Sequence, residues 1–177
     1  KNFKLEFEAG IRYDYIFQQI YKWNSTQRVY NYHEYTYNNL SGSLGTIYKP
    51  TDKLTARVNF GMAWRPPNVS ELFSEGLHHC SASVEYGDTN LIAEKAYNTI
   101  LGVDYVNKKL LVQVEGYYNQ IDNFIYLKPT LPATLTIKGA FPTFNYTQVD
   151  AVLTGFDLKT TYQFIKPLSW TGKTSFL

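Results

Sequence analysis

The stretch GLHHCSASVEYGDTNL, residues 76–91, sets His78 and His79 beside Cys80, the chain's only cysteine. Imidazole and thiolate are zinc ligands, and imidazole also binds haem iron. The spacing argues against a ready-made chelate. Adjacent residues on extended backbone point to opposite faces, and the sequence offers no second cysteine and no His-x-x-x-His pair. The residues alone leave two readings open: a packed or solvated loop, or a contact with a bound metal or haem. For catalysis the sequence offers less. The Ser-rich CSAS at 80–83 follows no nucleophile elbow, and no base stands at an identifiable spacing from a nucleophile. The chain is expected not to be an enzyme.

The elements that position this stretch are written in twos. In KLEFEAGIRYDYIF, residues 4–17, the odd positions carry Leu5, Phe7, Ile11 and Tyr13, while the even ones carry Glu6, Glu8, Arg12 and Asp14. In KLTARVNFGMAWR, residues 53–65, Leu54, Val58, Phe60, Met62 and Trp64 alternate with Thr55, Arg57, Asn59 and Arg65. Side chains alternate across a strand, so each run has one apolar and one polar face. Similar runs near 40–49, 95–106, 110–120, 154–164 and 168–177 bring the expectation to about seven strands and no helix. An aromatic content of 17%, with sixteen Tyr and eleven Phe, suits pleated surfaces. A net charge of +2 is too small to imply a nucleic-acid partner, and no run of Lys or Arg forms a basic patch, so no such partner is expected.

Short turns at 49–53, 106–109 and 165–168 alternate with long segments near 18–39, 66–94 and 127–146. That segregation fits an antiparallel up-and-down transmembrane β-barrel, with tight turns at one end and long loops at the other. No apolar run approaches the 18 residues of a spanning helix. Tyr48, Trp64, Tyr97, Tyr105, Phe164 and Trp170 fall near strand ends on the apolar face, as interfacial girdles do. The alternative is a soluble β-sandwich with one wet face. Seven strands do not close a bacterial barrel, whose strand number is even, so residues 1–177 are expected to be an incomplete slice of a larger one.

FGMAWRPPNVSELFSEGLHH (60–79) followed by YGDTNLIAEKAYNTILGVDY (86–105) resembles a paired signature of TonB-dependent outer-membrane receptors. Its elements read Trp64, Arg65, Pro66, Pro67, then Glu71 and Leu72, then Asp88, Thr89, Asn90 and Leu91, then Glu94 and Asn98. EAGIRYDY (8–15), YYNQIDNFIYL (117–127) and LTGFDLKTTYQF (153–164) resemble flanking barrel strands of the same family. The resemblance implies a 22-stranded barrel in the bacterial outer membrane. It also implies a plug and a TonB-contacting segment outside these residues, TonB and outer-membrane lipid as partners, and active uptake of a scarce nutrient. Haem, an iron-siderophore or zinc is the implied cargo; no cofactor is required. An oligosaccharide receptor of the same fold and a surface adhesin are the alternatives. Some haem receptors of the family use a histidine between the two boxes. By that resemblance His78 or His79, with a carboxylate such as Glu75 or Glu85, forms a partial metal site.

Two expectations concern the rim. Pro66 and Pro67 lack ladder donors, so pairing should stop there and the chain should leave the wall. Arg65 and Glu94 bracket the long loop and share the polar parity, so they should pair and pin its base.

Overall fold

The computed structural model describes residues 4–24 and 27–177. The chain forms β1 (Lys4–Asn24), β2 (Val29–Thr51), β3 (Leu54–Arg65), α1 (Val69–Phe73), β4 (Glu75–His78), β5 (Ser83–Tyr86), β6 (Glu94–Val106), β7 (Leu110–Thr136), β8 (Gly139–Ile165) and β9 (Leu168–Phe176). The seven expected runs are β1, β2, β3, β6, β7, β8 and β9, which pair antiparallel in that order. Among the described residues the sheet is open: β1 pairs only β2, and β9 only β8.

The structure differs from the sequence reading in three places. The expected loops at 18–39 and 127–146 are mostly strand. β1 and β2 pair without slip from Lys4↔Lys49 to Asn24↔Val29, and β7 and β8 are 27 residues each. Their Tyr- and Thr-rich sequence suits a pleated, half-buried surface, and in β1 the face that carries Ile20 is covered. The turn between β7 and β8 falls between Thr136 and Gly139. The long segment at 66–94 contains a one-turn helix, α1, and the β4–β5 hairpin, neither of which periodicity reveals in elements this short. The hairpin joins the sheet through β5, which lies parallel to β8 at Val84↔Thr143, Glu85↔Phe144 and Tyr86↔Asn145. β9 begins pairing only at Phe156, so β5 occupies the loop-side stretch of the same β8 edge.

The two faces of the wall have opposite chemistry. One face carries Leu5, Phe7, Ile11, Tyr13, Leu44 and Phe60, with Phe7 72% and Ile11 84% exposed. Buried apolar side chains among the described residues are Ile20, Pro67, Leu72, Val84, Leu91 and Ile125. So small a core beside so large an open apolar face rules out a water-soluble sandwich; this face needs a nonaqueous solvent. The opposite face pairs charges across strands: Arg57 lies 2.9 Å from Asp104, to which Gln113 also donates at 3.2 Å, and Lys49 lies 3.5 Å from Glu6. Such groups suit a wet lumen.

Candidate functional site

The rim is built where β3 ends. Pro66 and Pro67 stop the ladder, Pro67 becomes fully buried, and the chain turns at Asn68 into α1. Arg65 faces Glu94 in register. Its Nε donates to Glu94 Oε2 at 2.8 Å, as the parity predicts, and its Nη1 donates to Glu71 Oε1 and Oε2 at 2.9 and 2.8 Å. Two carboxylates around one guanidinium leave a surplus negative charge. Backbone donors offset it: Asn68 N–H reaches Glu71 Oε2 at 2.7 Å, and Ile125 N–H reaches Glu94 Oε1. Glu71 thus stabilises the first turn of α1 from its third position while tying the helix to the wall.

An apolar cluster sits on this charge node. Leu72 and Leu91 from the long segment pack with Ile20 of β1 and Ile125 of β7, flanked by Tyr35, Phe73 and Tyr146. Gly87 permits the return path. Its N–H bonds Ser74 O at 2.8 Å, and a Cβ there would lie 2.6 Å from the Leu72 carbonyl carbon. Asp88 Oδ1 then accepts Asn90 N–H and Nδ2 at 2.8 and 2.9 Å, closing the turn into β6.

The resembling motif is therefore brought largely to one place: Arg65, Pro67, Glu71, Leu72, Leu91 and Glu94 form the node and its cover. Trp64 instead donates from Nε1 to Asp14 at 2.9 Å, Pro66 is the half-buried start of the turn, and Asn90 serves the turn. Asn98 lines a cavity of about 530 Å³ beside Gly10, Ser43 and Gly61.

The four residues singled out for metal lie on or beside the β4–β5 hairpin. His78 ends β4 opposite Ser83, and His79 and Cys80 are exposed at the tip. Glu75 pairs with Tyr86 and Glu85 with Gly76, so by register the two carboxylates take opposite faces. Each is already engaged. Lys22 Nζ bonds Glu75 at 2.6 Å and holds its carboxyl below the ordinary range through that hydrogen bond and its charge. Buried Glu85 accepts Ser81 Oγ at 3.1 Å, Ser83 Oγ at 3.0 Å and Tyr146 Oη at 3.4 Å. Burial pushes the Tyr146 phenol up, and the Glu85 charge adds to it. Among the described residues no three His, Cys, Asp or Glu side chains are grouped to hold a metal ion. By register, His78 shares the Ser83–Glu85 face.

The tethers of this hairpin were not legible in the sequence. Lys22–Glu75 and Tyr146–Glu85 join residues 53 and 61 positions apart, and no local pattern marks them.

An amphipathic antiparallel wall with one lipid-compatible face, one charged face and a pinned rim segment defines a slice of an outer-membrane-type β-barrel. Residues 2–176 match the family model described as TonB dependent receptor-like, beta-barrel. The chain belongs to that family. A comparison with curated proteins yields no match. Solved structures agree in fold. The copper transporter OprC aligns over 97% of this chain at 21% identity and a TM-score of 0.70. The Pseudomonas aeruginosa siderophore receptor PirA aligns over 94% at 17% identity, with a TM-score of 0.65. The Serratia marcescens hemophore receptor HasR, solved with its hemophore HasA and heme, aligns over 90% at 16% identity and a TM-score of 0.62. The chain spans 26%, 34% and 29% of those three chains, respectively.

Proposed function

We propose that these residues are part of the barrel domain of a longer outer-membrane receptor that takes up a scarce metal or metal complex with energy delivered by TonB. The observation that carries this is the family match across residues 2–176. The wall itself, lipid-compatible outside and charged inside, supports it. The cargo class rests on the neighbours: their names specify copper, a siderophore, and heme with its hemophore. Such a wall needs no catalytic residue. Its charged inner face suits reversible hydrogen bonds and ion pairs with a plug. External elements would capture the cargo, and a TonB-driven rearrangement of the plug would open the passage.

The proposed cargo contact is the β4–β5 tip. His78 and His79 are exposed there and free of the tethers that occupy Glu75 and Glu85. Two imidazoles are a small donor set, and small sets suit a receptor that must release what it captures; the cargo's own chelator or the plug would supply the remaining ligands. To test this, the full-length receptor in detergent is titrated with zinc, haemin and a ferric siderophore by calorimetry and absorbance. One of these should bind, and His78→Ala with His79→Ala should weaken it at least tenfold, about 1.4 kcal/mol. Unchanged binding by the double variant removes the histidines from the cargo site. Binding of an oligosaccharide and none of the three metal probes would replace the metal reading.

A further inference from the structure

The β1–β2 hairpin carries aromatic rings too far from the lipid to serve as a girdle. On β3 the apolar face runs from Leu54 to Trp64, a span of ten residue steps. At about 3.4 Å per residue and a tilt near 40°, that rises about 26 Å, the height of the apolar band. The registers Gly10↔Ser43 and Ser43↔Gly61 set Tyr13 nearly level with Trp64. Trp23 is ten residues farther along the same face of β1, so it stands about 20–26 Å above the band on the same geometry. A phospholipid headgroup layer adds only about 5–7 Å per leaflet.

At that height four rings stand open. Tyr21 pairs across the strands with Tyr32, ring centroids 5.1 Å apart, and Trp23 pairs with Tyr30 at 5.0 Å. Each is 46–66% exposed. Directly below, Gln19 faces Glu34 on the same side, its amide 3.4 Å from the carboxylate, which also accepts the Tyr32 hydroxyl. Open aromatic faces bordered by an amide and a carboxylate match the chemistry of sugars. The rings stack on the C–H faces of pyranoses while the polar pair bonds their hydroxyls. Two ring pairs spaced about 7 Å along a strand accommodate consecutive sugar units.

We propose that this outward face is a docking platform for the lipid-linked oligosaccharide of the surrounding outer leaflet. The surface is continuous with the lipid-facing wall, so its neighbour is the membrane itself, and at this height only a tall saccharide headgroup reaches it. The proposal rests on the outer-membrane reading above.

To test it, the full-length receptor in phospholipid nanodiscs is titrated with three probes: lipopolysaccharide bearing its core oligosaccharide, lipid A without core sugars, and the free core oligosaccharide. Core-bearing lipopolysaccharide should bind at least tenfold more tightly than either other probe. Trp23→Ser combined with Tyr30→Ser should erase that preference and leave lipid A binding unchanged, whereas Tyr30→Phe should retain it. Equal preference in wild type and double variant, or loss in Tyr30→Phe as well, overturns the platform. Equal affinity for the free oligosaccharide overturns the lipid-linked source. Insertion without selectivity sinks this inference alone, while a receptor that does not insert into the bilayer sinks the outer-membrane reading with it.

Discussion

Arg65 is where sequence and structure meet most directly. Its pairing with Glu94 follows from parity, and the structure adds Glu71 as a second carboxylate. The two acids are largely covered, with side chains 11% and 12% exposed, while Arg65 is 38% exposed. Removing the guanidinium leaves two covered carboxylates facing each other. The full penalty for orphaning a buried pair is about 3–5 kcal/mol, and the exposure of Arg65 reduces it. Arg65→Ala is expected to cost about 2–3 kcal/mol of local stability, read as faster amide exchange across residues 66–93 of the full-length protein. Unchanged exchange would mean that the apolar cluster, not the charge node, pins the segment. Arg65→Lys should recover part of the loss, because an ammonium keeps the charge but lacks the fork that bridges both acids.

At the scale of elements, the β4–β5 hairpin is held by two unlike tethers. β5 adds three parallel pairs to β8 under a buried Glu85, and Lys22 reaches Glu75 from β1. The Lys22 tether is sensitive to acid, with a definite sign. The Glu75 carboxyl is held below its ordinary 4.5, so the tether contributes fully above about pH 4.5 and is lost as pH falls through the lowered value. Because the pair is exposed, its contribution is below about 1 kcal/mol. Amide exchange at residues 75–78 should therefore accelerate modestly as pH falls below 4.5 and through the lowered value, beyond the intrinsic chemical effect, and Lys22→Met should abolish that extra acceleration. A Lys22→Met protein with the same acid response would show that the tether does not hold the hairpin. Of these elements, the seven wall strands were legible because each alternates over many residues. α1, β4 and β5 were not, since four or five residues carry no period and their partners lie far along the chain.

For the whole molecule, the solvent of each face decides its tolerance to substitution. Phe7 lies on the open apolar face, and Phe7→Arg near the middle of the band should cost about 2–4 kcal/mol. Thr55→Arg, on the opposite face beside Asp104, should be nearly neutral. Urea titration of the full-length receptor in lipid vesicles compares the two directly; equal costs would mean that the faces are misassigned. Fold class, the lipid and lumen faces and the Arg65–Glu94 pair were legible in the chain alone. Alternation and register are local properties, repeated along every wall strand. Folding was needed to show that the expected loops at 18–39 and 127–146 are mostly strand, that Glu71 joins the node, and that Glu75 and Glu85 take opposite faces with separate tethers. The two tethers join residues 53 and 61 positions apart and leave no periodic trace in the chain; the two hairpins and the Arg65–Glu71 bond are local, but polar, proline-containing strand ends and a one-turn helix carry no apolar alternation to mark them.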